Sequence, residues 1–386
     1  MSKKIRVGMI GGGQGAFIGE VHRRALRLDD RYQLVGGAFD ADPERGRAFG
    51  LDLGLNPARL YDNVEALIRG ESALPPEQRI ELVAIVTPNF LHFPIADALA
   101  AAGFHVMCEK PMTLNSDEAA KLTETVRQSG TLFAVMHNYI GYPMVKLARD
   151  LVRAGKLGKL RKITVRYAQE WLCRPVEHSG NAQAAWRTNR KLSGGGCISD
   201  IGGHAFNLAE YVSGRRAEAL CADLSTFVPG REVDDDCSIL LRFDDGMRGV
   251  LLATQTAPGR LNDLEFELCG EKASLVWQQA DPEKLIVRPW SEPEQIWHRG
   301  SEYVKLASPG AARAARLAAG HPDGFITAFA NHYLNLADCI EARRQGIEPG
   351  ELSTDYPGIA AGVRVAAFID AALSTLEKSE KWIKVG

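Results

Sequence analysis

From residue 5 to about 140, short, largely apolar runs alternate with stretches whose apolar residues recur at helical spacing. The runs at 5–9, 33–39, 82–86, 104–108 and 132–136 show no polar alternation. Strands of that kind are buried on both faces, as in a parallel sheet covered by helices. Between them, Val21, Ala25 and Leu28 mark one helix. Asp42-Pro43-Glu44 opens a second, with a capping carboxylate and a first-turn proline. Helices at 94–102 and 116–128 follow, and residues 71–80, with Pro75-Pro76, read as a surface excursion. After about residue 140 the pattern changes. A helix at 143–154 ends at Gly155, a favourable left-handed cap. Strand-like stretches at 162–170, 217–227, 237–243, 249–256, 264–269 and 273–277 then dominate, interrupted by one helix candidate at 200–212. This predicts an α/β chain: a doubly wound parallel sheet, then an α/β domain with a large, mostly antiparallel sheet. Residues 322–344 and 358–377 read as amphipathic helices, and Ala/Arg-rich 311–319 as a mobile helix or lid. The expected domains are 1–140 and 141–386, with the last helix packing back on the first.

Composition narrows the function classes. A chain of 386 residues suits two domains, and 45% hydrophobic with 24% charged residues is ordinary for a globular protein. Lys+Arg 46 against Asp+Glu 48 gives a formal charge of -2, which points to neither nucleic acid nor an anionic membrane. The seven cysteines form no C-x-x-C pair, so neither a disulfide framework nor a metal cluster is indicated. With no signal-peptide segment ahead of the first strand, a cytoplasmic location is expected.

Gly11-x-Gly13-x-x-Ala16 follows the first strand and opens a helix. Gly11 permits the tight turn, Gly13 lets the backbone approach a pyrophosphate, and Ala16 is small enough for close helix packing. Gln14 and Gly15 extend this loop, and the helix amino terminus favours an anion. The context is that of a Rossmann dinucleotide site. Asp40 follows the second strand, where its carboxylate can accept from adenosine ribose hydroxyls and repel a 2′-phosphate, favouring NAD over NADP. Arg45 and Arg47 keep NADP open, and Asp40 could instead just begin the turn at 40–43.

Glu109-Lys110-Pro111 puts an ammonium at the carboxyl end of a buried strand, where a lysine needs a partner or a cleft. Asp200-Ile201-Gly202-Gly203-His204 puts a carboxylate and an imidazole on one face if that stretch is helical. A cation beside an imidazole base is what removal of a proton from a carbinol requires, and an unperturbed imidazole titrates near 6.5. Asp200 could instead be a helix N-cap, and Lys110 a salt-bridge partner.

In order and separation, the Gly11-Gly12-Gly13 loop, Thr87-Pro88-Asn89 with His92, Glu109-Lys110-Pro111, Trp186-Arg187, Gly194-Gly195-Gly196 and Asp200-x-x-x-His204 resemble the glucose–fructose oxidoreductase, inositol dehydrogenase and rhizopine catabolism (Gfo/Idh/MocA) family over nearly the whole length. The extended glycine loop is most similar to sugar, glucoside-3- and levoglucosan-type dehydrogenases, with inositol dehydrogenases close behind. The resemblance implies oxidation of a secondary hydroxyl on a sugar, glycoside or cyclic polyol, with hydride passing to NAD. It makes Lys110 the active-site lysine and Asp200 and His204 its triad partners, with Asp200 binding a substrate hydroxyl. It implies a cis Lys110–Pro111 bond. Glu109 and Asn138 would reach the nicotinamide half, and Thr87, Pro88, Asn89 and His92 would line the cofactor. Trp186 and Arg187 would frame the substrate or brace the nicotinamide, with Trp171 and Tyr142 suiting a pyranose ring's apolar face, and His321 would enter from the late segment. A homo-oligomer built sheet against sheet is expected. Two alternatives remain at this point: an inositol dehydrogenase, or a non-catalytic dinucleotide sensor on the same scaffold.

Overall fold

Six of the seven residues of β1 (Ile5–Gly11) are buried, including Arg6, which pairs with Glu81, and all five of the wholly apolar β3 (Leu82–Val86), as the centre of a covered sheet requires. The computed structural model describes residues 3–386. In the first unit the chain runs β1, α1 (Phe17–Leu28), β2 (Tyr32–Ala38), α2 (Pro43–Asp52), α3 (Val64–Ser72), β3, α4 (His92–Ala101), β4 (His105–Cys108), α5 (Ser116–Ser129) and β5 (Phe133–Val135). The strands pair in parallel in the order β2-β1-β3-β4-β5. The order reverses between β1 and β3, and ligands bind such sheets in the crevice outside the carboxyl ends at that point. Asp42 caps α2 through the amides of Glu44 and Arg45, with Pro43 in the first turn. Residues 71–80 are more than a surface excursion. Glu71 is fully buried, holds Arg59 and the Tyr61 hydroxyl, and accepts from the Ile80 amide.

The second unit carries α6 (Pro143–Arg153), β6 (Leu160–Ala168), α7 (Ala182–Arg187), α8 (Arg190–Ser193), a π-helical turn (Ile198–Gly202) and α9 (Gly203–Ser213). Then follow β7 (Ala217–Ser225), β8 (Asp236–Phe243), β9 (Arg248–Thr254), β10 (Asp263–Gly270), β11 (Ala273–Gln278), β12 (Lys284–Pro289), β13 (Gln295–His298), α10 (Glu302–Ala307) and α11 (Pro309–Ala314). Its nine-stranded sheet has the order β13-β12-β11-β10-β6-β9-β8-β7-β14, antiparallel except where β6 and β9 pair in parallel. β8 alternates strictly between buried and outward residues; the sheet packs on α9 through β6, β9 and β10, and its outward face carries exposed Leu240 of β8 and Leu252 of β9. The 311–319 stretch is no mobile helix at its start. Ala311 and Ala314 are buried, Ser308 caps α11 through the Ala311 amide, and α11 packs on α6.

The chain then returns to the first unit with α12 (Phe325–Gln345), before α13 (Ile359–Ser374) and β14 (Ile383–Lys384). The units comprise the chain up to Asn138 with Phe325–Val363, and Tyr139–Gly324 with Arg364–Gly386. Burial explains the return. Phe329, Tyr333, Leu336 and Ile340 form a stripe one turn apart on α12 and share a core with Ile5, Val7, Met9, Val21 and Leu26. Each such side chain contributes about 1.5–3 kcal/mol on burial. No helix among the described residues is long and apolar enough to cross a membrane.

Candidate active site

At the end of β1, Gly11 has φ +80°, which a side chain would strain. A Cβ on Gly13 would stand 2.7 Å from the Phe39 carbonyl oxygen, so only glycine fits there. The close helix contact assigned to Ala16 lies elsewhere. Ala16 is the N-cap residue of α1, whereas a Cβ on Gly19 would overlap Gly12, making Gly19 the position that must stay small. No side chain caps α1, and Gln14 and Gly15 are exposed beside it, so its leading amides are open to an anion. Arg23, one turn into α1, donates to the Gly12 carbonyl at 2.6 Å and stacks on Phe49, bracing the loop.

Asp40 stands at the end of β2 with its carboxylate partly exposed. One oxygen accepts from the Asp42 amide and the other pairs with Arg45 at 3.2 Å. Arg47, which could also have met a 2′-phosphate, is engaged by Asp62 at 2.8 Å. Beyond β3 and β5, the Thr87 hydroxyl and the Asn138 side-chain amide nitrogen are buried with no hydrogen-bond partner. Buried polar atoms of that kind cost about 1–3 kcal/mol each unless a ligand satisfies them. Open helix amides for a pyrophosphate, a carboxylate for ribose hydroxyls and two orphaned polar atoms at the strand ends together fit a dinucleotide.

Lys110 follows β4, partly buried, and its bond to Pro111 is cis. The residues around it are wired into the scaffold, and two of the sequence assignments change as a result. His92, on α4, turns its ring nitrogens to the carbonyl oxygens of Pro111 at 2.7 Å and Thr87 at 2.9 Å, with the N–H donating. It ties the β3 and β4 loops together and leaves no nitrogen for a cofactor; burial lowers its pKa. Glu109 is buried as well. One oxygen meets His22 at 2.7 Å and the other accepts from the Lys110 amide at 3.2 Å, so it supports the lysine rather than reaching outward. His22 in turn meets the Tyr333 hydroxyl at 2.6 Å. The sequence reading missed His22, whose signal was a histidine on the apolar side of α1. His137, beside Asn138, is driven down to about 3 by burial, with the Lys110 and His332 charges adding to it, so it is neutral near neutrality. Asn89 is buried after Pro88 at the start of the short turn that leads to α4.

In the second unit, Asp200 lies inside the π-helical turn, its amide bonded to the Gly196 carbonyl at 3.0 Å, so it is not the N-cap of α9. The turn is anchored by Asp234. Its carboxylate accepts from the amides of Gly196 at 2.8 Å and Ile198 at 2.6 Å, and its carbonyl accepts from Cys197. A Cβ on Gly196 would overlap that carbonyl, which explains the glycine run before the motif. Burial pushes the Asp234 carboxyl up to about 6, against the pull of those amides. Asp200 accepts from Gln255 at 2.8 Å and lies 3.5 Å from the Arg187 guanidinium. Arg187 stacks over Trp186 at 4.2 Å and Trp171 at 5.9 Å. Thus Trp171, Trp186, Arg187 and Asp200 gather in one cluster. His204 is buried one turn later, its ring 5.0 Å from Tyr139 and 6.3 Å from Tyr167. Tyr142 is not a ring-facing residue: it is 3% exposed and packs on Tyr139 and Trp277. His321 is exposed on the loop after α11, where its carbonyl accepts from buried Arg299. Gln255 was missed too, although a glutamine at a core-facing position of a strand is itself a signal. Among the described residues no group of three or more His, Cys, Asp or Glu could hold a metal ion.

Residues 5–137 match the model of an oxidoreductase family with an NAD-binding Rossmann fold, and residues 145–276 match the Gfo/Idh/MocA carboxyl-terminal domain. The chain belongs to the Gfo/Idh/MocA oxidoreductase family. Its parallel-sheet unit is the NAD-binding domain of a Gfo/Idh/MocA oxidoreductase. An inositol dehydrogenase homologue from Azotobacter vinelandii, solved with NAD+, is 32% identical with a TM-score of 0.94, covering 100% of this chain and 98% of its own. An oxidoreductase from Sinorhizobium meliloti is 41% identical with a TM-score of 0.88, covering 99% of this chain and 100% of its own. The levoglucosan dehydrogenase of Pseudarthrobacter phenanthrenivorans is 28% identical over 99% of this chain and 98% of its own length.

Proposed function

We propose that this Gfo/Idh/MocA protein oxidises a secondary hydroxyl of a sugar, glycoside or cyclic polyol, reversibly and with NAD. The observation that carries the reading is the turn at Asp200–His204. Gln255 and Arg187 fix the carboxylate, while the imidazole one turn on is of the residue type that moves protons near neutrality. In this reaction His204 takes the proton of the reacting hydroxyl. The Lys110 ammonium donates to the same oxygen and stabilises the negative charge that develops there. Asp200 accepts from a substrate hydroxyl and sets the ring's orientation, and Trp171 and Trp186 offer it apolar faces. Bound NAD supplies the nicotinamide ring that accepts hydride. Thr87, Asn138 and the glycine loop hold it, and Asp40 selects it over NADP, since both nearby arginines are already paired. His321 borders the substrate from the late loop.

The outward sheet face, with Leu240 and Leu252 among charged neighbours, suits a second copy, so the enzyme works as a homo-oligomer packed sheet to sheet. Its seven free thiols suit a reducing cytoplasm. The decisive experiment incubates the purified protein with NAD and a panel of pyranosides and inositols while reduced cofactor is followed by absorbance. Turnover of at least one is expected, and Lys110→Met should lower kcat by about a hundredfold or more with NAD binding kept. Tight NAD binding without turnover of any polyol would instead favour the sensor.

A further inference from the structure

Next to His204 lies a closed set of hydrogen bonds that none of the roles above uses. The Tyr139 and Tyr167 hydroxyls are 2.5 Å apart. Tyr167 donates to the Asn262 carbonyl oxygen at 2.7 Å, and the Asn262 amide nitrogen donates to Tyr139 at 3.1 Å, closing a ring. Gln169 joins from outside: its amide nitrogen donates to the Asn262 oxygen at 2.8 Å and to the Tyr167 hydroxyl at 3.4 Å. Its own side-chain oxygen is buried with no partner. That ring engages the nitrogen end of Gln169 and leaves an acceptor over.

Where the acceptor stands gives it a use. Tyr167 and Gln169 are two residues apart at the end of β6 and share a face of the sheet. β6 pairs in parallel with β9, Tyr167 opposite Ala253, and the Gln169 amide continues the ladder to the Thr254 carbonyl at 2.8 Å. Gln255 therefore neighbours Gln169 on the same face, and Gln255 is what holds Asp200. Gln169 stands between the support of the carboxylate and the aromatic surroundings of the imidazole. On α9, Asn207 lies one turn beyond His204 on the same helix face, and its side-chain oxygen is a second buried acceptor without a partner. Two spare acceptors beside the proposed base fit a ligand rich in hydroxyl donors.

We infer that Gln169 is a specificity-determining residue, its side-chain oxygen accepting from a substrate hydroxyl other than the one oxidised, with the Tyr139–Tyr167–Asn262 ring setting its orientation. The inference rests on the polyol dehydrogenase reading and deepens it. A small rotation about the soft terminal torsion of Gln169 presents the oxygen to the ligand without disturbing the ring.

The test compares wild type, Gln169→Met and Gln169→Glu on the best substrate of the panel and on each of its monodeoxy analogues, with NAD affinity as the control for folding. In wild type, removing the hydroxyl that Gln169 reads should lower kcat/KM by about ten- to a hundredfold. Gln169→Met should lose a similar factor on the parent substrate yet turn over that one analogue as well as the parent. Gln169→Glu keeps an acceptor and should restore discrimination at the same position. Tyr167→Phe, which opens the ring without removing the acceptor, should weaken discrimination at that position alone, and it serves if Gln169→Met does not fold. The inference is overturned if every deoxy analogue suffers the same factor in Gln169→Met, or in Tyr167→Phe, as in wild type. A wild type inactive on every polyol refutes the dehydrogenase reading and takes this inference with it, an outcome distinct from an active enzyme indifferent to Gln169.

Discussion

Replacing Asp234 by asparagine separates charge from geometry at the turn that carries Asp200 and His204. The carboxylate sits almost wholly buried among backbone amides, and burial lifts it from 3.8 to about 6. Its folded-state value lies above its unfolded one, so the stabilising contribution is present in full below the unfolded value and is lost as pH rises through about 6. The ionised group therefore costs roughly 3 kcal/mol at neutrality, from about two units at 1.36 kcal/mol each. Asparagine removes that charge but offers a single acceptor to two amides, Gly196 and Ile198, leaving one unsatisfied at about 1–3 kcal/mol. Near pH 7 the two effects almost cancel, and overall stability should change by no more than about 2 kcal/mol. From about pH 7 down to about pH 5, wild type should gain roughly 1 kcal/mol on the variant, and about 3 kcal/mol in all at still lower pH. Urea unfolding of both proteins across that range reads this difference directly, since groups common to both cancel. Dehydrogenase turnover at neutral pH should fall about tenfold or more while NAD affinity holds, because the displaced turn carries the proposed base. A stability difference that stays flat between about pH 5 and about pH 7 would refute the account of Asp234.

Two further outcomes are expected. Asp40→Ala should weaken NAD about tenfold and raise the relative use of NADP, because Arg45 loses its partner; steady-state kinetics with both cofactors checks this, and an unchanged NAD:NADP ratio counts against the role. His22→Phe strands the buried Glu109 carboxylate and the Tyr333 hydroxyl, so unfolding free energy should drop by about 2–4 kcal/mol and turnover should fall with it; unaltered kcat in a folded variant would detach Glu109 from Lys110.

Legibility in the sequence followed the range of the interactions. The first sheet and β6 to β11 of the second could be read because periodicity is local: the run at 82–86 became β3 residue for residue, and the stretches at 217–227, 237–243 and 249–256 became β7, β8 and β9, whereas the short β12, β13 and β14 were not read. Short motifs placed Lys110 and the glycine loop beyond strand ends for the same reason, and Asp200 one turn before His204. What could not be read depended on partners far along the chain. Asp234 is 34 residues from Asp200, Gln255 is 55 from it, and Tyr333 is 311 from His22. His92 and Glu109 were assigned outward because a motif marks a neighbourhood without saying which way each side chain turns. Ala16 took the place of Gly19 because the extended loop moves the helix start to Phe17.

The return of α12 to the first sheet bears on how the polypeptide can be divided and synthesised. A fragment ending near residue 140 would present Val21, Leu26 and the outer side of β1 to water, with nothing to replace Phe329, Tyr333, Leu336 and Ile340. The cofactor-binding half is thus finished only after some two hundred intervening residues have left the ribosome. Whoever wishes to express it alone must splice 325–363 back onto it.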